Sequence, residues 1–245
     1  MSGPPIVFIA QLGTGGASWK PVLERLTTTG RTFTYDRPGT GSAPPRPAPN
    51  PPLPHGAFAR ELADLLDAEG ITEPAVLVGH SFGGNILRVY ASLRPERVAG
   101  IVFVDCSIPQ SFLVPGEDNP VDGDEPDGTA IDTIAGQVEI LSAPIPHVPT
   151  AVLVRRPHWW FPTFADIPHP AIDDLWQVSQ RLLAEQLHAP LIRTQTGHQI
   201  PRENPGLVSY IVDAVVKAAG TGGRVGLGEQ RVTALGGTVN WPASR

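Results

Sequence analysis

The sequence predicts an α/β fold, an open, mostly parallel sheet with helices on both faces. Three observations carry that expectation. Short apolar, β-rich runs alternate with helical patterns along most of the chain. The runs lack polar alternation, as expected of parallel strands buried on both faces. Proline and glycine punctuate the joins, so that strand, crossover helix and strand recur. At 245 residues the chain fits one large domain and is long enough to bury a substantial core without staples.

The elements follow in order. Ile6–Ala10 reads as the first strand, followed by a glycine-rich loop and a helical pattern over Ser18–Thr28. Thr32–Tyr35 is the second strand. Pro44 to Pro54 (PPRPAPNPPLP) forms a stiff, polyproline-like surface connection. A helix over Gly56–Glu69 places Phe58, Leu62, Leu65 and Leu66 at helical spacing. Ala75–Val78 is the third strand, Phe82–Leu93 a helix and Gly100–Val104 the fourth strand. Residues 107–149 then interrupt the alternation as an insertion. Its first half is loop-like, Thr129–Leu141 is a helix candidate, and its position at the carboxyl edge of the sheet suits a short acidic lid. Thr150–Val154, a helix over Ala171–Leu187, Leu191–Thr194 and a helix over Pro201–Ala218 complete a domain spanning residues 1–219. Residues 220–245 are glycine-rich and read as a disordered tail; the alternative is a terminal hairpin on a sheet edge, with Arg231–Leu235 as one strand.

Composition removes several classes of function. The one cysteine, Cys106, allows no intrachain disulfide and no cysteine-rich zinc site, and reads as a buried thiol. The N-terminal stretch MSGPPIVFIAQL has no basic region and too short an apolar run for a signal peptide, and nothing reaches membrane-spanning length. A soluble cytoplasmic protein is expected. The net charge is −6, but residues 107–148 hold eight carboxylates and no lysine or arginine, so that stretch is −8 and the remainder +2. Such a field excludes nucleic acid as a partner. The run reads as a solvated loop, or as a lid that disfavours anionic substrates.

The most informative stretch is Val76-Leu77-Val78-Gly79-His80-Ser81-Phe82-Gly83-Gly84. An apolar strand runs into Gly-x-Ser-x-Gly and a helix follows, which is the pattern of a nucleophile elbow. A serine hydroxyl needs this exposure, because a base must take its proton and donors must receive the oxyanion. Side chains at positions 79 and 83 would collide as the backbone doubles back, and Gly84 lets the helix approach the sheet.

With these elements placed, residues 5 to 219 resemble the α/β-hydrolase superfamily, serine esterase-like and lactonase-like members in particular. Four pieces match in order: a strand, glycine-rich loop and Ser18-Trp19; Tyr35-Asp36-Arg37-Pro38-Gly39-Thr40-Gly41-Ser42; the elbow; and Gly197-His198 after the last strand. The resemblance implies Ser81 as nucleophile and His198 as general base. His80 is implied to be structural; His55, His147, His158, His169 and His188 have no matching context. Most relatives carry the acid after the strand that is here Thr150–Val154, where this chain has Arg155-Arg156-Pro157-His158-Trp159-Trp160 and no carboxylate until Asp166. Others carry it one strand earlier, where Asp105 stands, and Asp105 is preferred to Asp166. One oxyanion donor is implied to be the N–H of Phe82 and the other that of Leu12. Relatives usually have His-Gly where this chain has Ala10-Gln11, a departure that bears on the loop's geometry and leaves Gln11 within reach of the site. Relatives also have a hairpin before the first strand, so six parallel strands are expected here.

The implied activity is hydrolysis of a carboxylic ester, lactone or thioester through an acyl-enzyme, with a small-molecule acyl substrate and no metal or organic cofactor. Perhydrolysis, carbon–carbon lysis and non-catalytic ligand binding are the alternatives on the same scaffold. Trp159, Trp160, Phe161 and Phe164 either wall an acyl pocket or pack a helix on the sheet. Arg155 and Arg156 either bind a carboxylate at the rim or form salt bridges, the latter being preferred.

Overall fold

Strands rich in branched and aliphatic residues bury both faces only if helices cover both, and this is the arrangement in the computed structural model, which describes residues 3–47, 51–106, 125–159 and 169–242. The strands are β1 (Ile6–Ile9), β2 (Thr32–Thr34), β3 (Ala75–His80), β4 (Val98–Val104), β5 (Thr150–Val154), β6 (Leu191–Thr194) and β7 (Gly237–Asn240). They form one sheet in the order β2-β1-β3-β4-β5-β6-β7. The first six run parallel, and β7 pairs antiparallel with β6. Ile9 pairs with Gly79 and Gly79 with Phe103, so the carboxyl ends of β1, β3 and β4 lie side by side.

Alternate residues of each strand enter opposite layers of the core. Val7, Ile9 and Leu77 pack with Phe58, Phe82 and Trp176 on one face; Phe8, Val76 and Val78 pack with Ile211 and Val215 on the other. The helices are α1 (Lys20–Leu23), α2 (His55–Ala68), α3 (Phe82–Leu93), α4 (Thr133–Ser142), α5 (His169–Gln186), α6 (Ile200–Glu203), α7 (Pro205–Thr221) and α8 (Glu229–Ala234). Among the described residues, no helix is long and apolar enough to cross a membrane.

Several boundaries differ from the sequence reading for identifiable reasons. The predicted helix at 18–28 is a 3₁₀ turn over Gly16–Trp19 followed by the short α1. It stops early because Asp213 of α7 accepts the N–H groups of Thr27 and Thr28 and so holds that segment in a non-helical path. The predicted helix at 201–218 breaks at Asn204, whose side chain accepts the Leu207 N–H and caps α7 ahead of Pro205. In the insertion, α4 starts only at Thr133, because Asp132 caps it through the Ala135 N–H while Ile131 bridges to Leu53 of the proline-rich connection. Residues 107–124, most of the first half of the predicted lid, lie outside the described residues.

The tail requires a correction. Residues 222–242 are neither disordered nor a hairpin: Arg231–Ala234, predicted as strand, lie in α8, and the chain then turns at Gly236 (φ +77°) into β7. Val232 is fully buried, and Val225 and Leu227 join the same core layer. Gly222 (φ +64°) and Gly236 (φ +77°), among the glycines that suggested disorder, serve turns around short elements that are largely exposed and held by a few buried side chains such as Val232.

Candidate active site

At the carboxyl edge β3 ends on His80, α3 begins at Phe82, and Ser81 between them holds φ 53° and ψ −121°. Such a conformation costs a non-glycine residue about 1–3 kcal/mol and persists only where its surroundings enforce it. Here the Ser81 N–H donates to the Val104 carbonyl at 3.1 Å, and the Ser81 carbonyl accepts the Gly84 N–H at 2.9 Å. Close packing adds to the constraint. A Cβ on Gly79 would stand 2.7 Å from the Gly83 oxygen, one on Gly83 would overlap the Ile9 carbonyl, and one on Gly84 would overlap the Cys106 sulfur. Cys106 is itself a buried free thiol whose pKa burial pushes up, which leaves it un-ionised.

His198 lies in the loop after β6. Its carbonyl accepts a 2.8 Å hydrogen bond from Nε2 of His80, and the two rings are 4.9 Å apart, so the residue next to Ser81 fixes the histidine loop beside the elbow. Burial, then the neighbouring His198, drives the His80 pKa down to about 3, which keeps His80 neutral and its Nε2 a donor. Trp159 stacks on His198 at 6.1 Å, and Gly197 leaves room for its indole.

Nδ1 of His198 donates to Oδ2 of Asp105 at 2.6 Å. Asp105 is completely buried, at φ 44°, immediately after β4. Oδ1 accepts the Arg155 N–H at 3.1 Å and the Trp176 Nε1–H at 2.9 Å, and Nη1 of Arg155 approaches both carboxylate oxygens at 3.4–3.5 Å. Burial alone would raise the carboxyl pKa; Arg155 and the His198 hydrogen bond outweigh it, and the group is held below its ordinary value. The chain of charge continues from Nη2 of Arg155 to Asp173 at 2.8 Å, and the guanidinium lies over the rings of Trp176 and Trp159. Arg155 thus stands at the end of β5, and it is paired inside the protein instead of free at a rim.

Leu12, in the loop after β1, packs against the core layer that contains Phe82. Leu12 sits in a turn between Gln11 and Thr14, and Gly83 presses against the carbonyls of Ile9 and Ala10. Gln11 does not point alone into the site, since its Oε1 accepts a 3.0 Å hydrogen bond from Gln199, next to His198. The structure therefore brings Ser81, His198, Asp105, Phe82 and Leu12 to one edge. Asp166, Trp160, Phe161 and Phe164 lie outside the described residues. Sequence reasoning missed Arg155 as a partner of Asp105, and Trp176, Asp173, Arg37 and Glu125 altogether. Arg37 stood inside a quoted motif, but nothing distinguished Glu125 from the seven other carboxylates around it.

Comparison with known proteins agrees with this architecture. The family described as alpha/beta hydrolase fold matches residues 4–183. RutD of Azorhizobium caulinodans, named as a candidate carbamate hydrolase, is 35% identical over 104 residues, 42% of this chain and 38% of that protein. The match thus spans well under half of the relative's length. Among solved structures, carboxylesterase CesB from Bacillus subtilis superposes with a TM-score of 0.61 at 17% identity, covering 87% of this chain and 84% of that one. A variant of haloalkane dehalogenase DatA from Agrobacterium tumefaciens gives 0.58 at 17%, covering 89% and 91%. At such identities these structures speak for the fold alone.

Proposed function

The chain belongs to the alpha/beta hydrolase fold family, and from that premise we propose that it is a serine hydrolase that cleaves a carboxylic ester, lactone or thioester through an acyl-enzyme. The observation that carries the proposal is the 2.6 Å contact between His198 and buried Asp105, on a loop tied to the residue beside Ser81. Asp105 fixes the imidazole with Nδ1 protonated, so Nε2 is the nitrogen that exchanges protons with the nucleophile.

In the proposed reaction Ser81 Oγ attacks the acyl carbon, its proton passes to Nε2 of His198, and the carbonyl π pair moves onto oxygen. The N–H groups of Phe82 and Leu12 receive that oxyanion. Collapse expels the alcohol or thiol, which takes the proton from His198, and water repeats the sequence on the acyl-Ser81 to release the acid. Asp105 stays ionised throughout, stabilised by Arg155 and Trp176.

Fluorophosphonate labelling tests the reading. Wild-type protein is expected to be modified at Ser81 and Ser81→Ala to remain unmodified; a folded wild type that takes up no label defeats the hydrolase reading in favour of a ligand-binding relative. A panel of esters, lactones, thioesters and, because of the name carried by RutD, carbamates then ranks the acyl donors by kcat/KM.

A further inference from the structure

A buried ion pair ties the acidic insertion to the loop after β1. Arg37 is 2% exposed and Glu125 1%, and Nε of the arginine lies 2.6 Å from Oε1 of the glutamate. The remaining guanidinium nitrogens are committed to the loop: Nη1 donates to the Ala10 carbonyl at 2.8 Å and Nη2 to the Gln11 carbonyl at 2.7 Å. The second oxygen of Glu125 accepts the Gly13 N–H at 3.0 Å. Two buried side chains thus hold three backbone groups within Ala10–Gly13.

This determines which way the loop's donors face. In a trans peptide the C=O and the following N–H point in opposite directions. With the carbonyls of Ala10 and Gln11 drawn to the guanidinium, the N–H groups of Gln11 and Leu12 are turned away from it. Thr14 closes the turn from the other end, its N–H and hydroxyl donating to the same Gln11 carbonyl, with Gly13 at φ +71°. Among the described residues, nothing accepts the Leu12 N–H, nor that of Phe82, the first residue of α3. The same guanidinium lies 5.7 Å from the centre of the Phe82 ring, so one cation touches both donor-bearing segments.

The geometry points to Arg37 and Glu125 as positioning residues that orient the Leu12 N–H as the second oxyanion donor, an inference that rests on the serine-hydrolase reading above. Where Ala10-Gln11 stands in this chain, relatives usually have His-Gly, and without that glycine the clasp imposes the peptide orientation from outside the loop. Glu125, 112 positions along the chain from Gly13, acquires a role that its acidic neighbours do not share. A clasp of this kind is felt in the transition state, when charge sits on the oxygen, and hardly in substrate binding.

The test compares wild type, Glu125→Ala and Glu125→Gln. The end point of fluorophosphonate titration gives the competent Ser81 sites, and kcat and KM for an activated acyl ester are expressed per site. The Ki of a trifluoromethyl ketone, whose hemiketal carries an oxyanion, is measured alongside. For Glu125→Ala, kcat is expected to fall about 10- to 100-fold, part of the ~10²–10³ associated with losing a donor outright, with Ki rising in parallel and KM changed less than about twofold. Glu125→Gln, which keeps an acceptor for Gly13, should recover part of the loss. A purely structural ion pair would lower only the number of titratable sites; unchanged kcat and Ki per site overturn the inference. If Glu125→Ala does not fold, Glu125→Gln is judged by the same criteria. An unlabelled wild type overturns the hydrolase reading and the clasp together, whereas a labelled wild type with indifferent Glu125 variants overturns the clasp alone.

Discussion

Asp105 shows how much a single side chain depends on its surroundings. A carboxylate with no exposed surface is costly unless paired and hydrogen-bonded, and here, among the described residues, His198, Arg155 and Trp176 supply its partners. Its replacement by asparagine keeps the shape but lets His198 take the other tautomer. Asp105→Asn is therefore expected to lower kcat about 10⁴-fold on an activated ester while Asp166→Asn stays near wild type; the opposite ranking would move the acid to Asp166. At this scale the sequence was informative where chemistry is written locally. Ser81 stood between two glycines and His198 after a glycine and a strand. Arg155 and Trp176 were not legible as partners of Asp105, because 50 and 71 positions separate them from it.

Between elements, two histidines serve as packing groups. His55 opens α2 beneath Gly136 of α4 with its ring against Phe82, 5.3 Å away, and His80 ends β3 against Trp19 and His198. Burial, the largest cause in both, lowers their pKa values from 6.5 to about 4 and about 3. The unfolded chain then binds more protons below pH 6.5, so stability falls as pH drops through that value. Each group is expected to cost about 2 kcal/mol at pH 5 relative to pH 7.5, in a window where unfolded carboxylates are still largely ionised. Urea midpoints at the two pH values check this, and His55→Phe should shrink the difference; equal midpoints for wild type would contradict it. The strands of these elements were readable from their unbroken apolar runs. The helix limits were not, because Asp213, Asp132 and Asn204 set them by capturing particular N–H groups.

For the molecule as a whole, the C-terminal segment completes the sheet. β7 pairs along the edge of β6 and packs on α7 so closely that a Cβ on Gly237 would stand 2.9 Å from the Leu207 side chain, and Asn204 donates to the Leu235 carbonyl at 2.6 Å. Removing residues 222–245 uncovers the partners of Val225, Leu227 and Val232, each worth about 1.5–3 kcal/mol when buried, and leaves β6 as an open edge. The truncated chain should have a markedly lower denaturant midpoint and should scatter light on standing; a midpoint equal to that of the full chain would show the segment to be dispensable. By itself the sequence determined the parallel α/β architecture and the positions of Ser81 and His198, because strand burial, elbow sterics and turn chemistry act between near neighbours. Only the tertiary structure decided that the tail is part of the sheet, that Arg155 lies beneath Asp105, and that Glu125 and Arg37 grip the loop around Leu12. Those contacts join residues far apart in the chain, and a buried polar atom selects its partner from whatever the completed fold brings within hydrogen-bond reach.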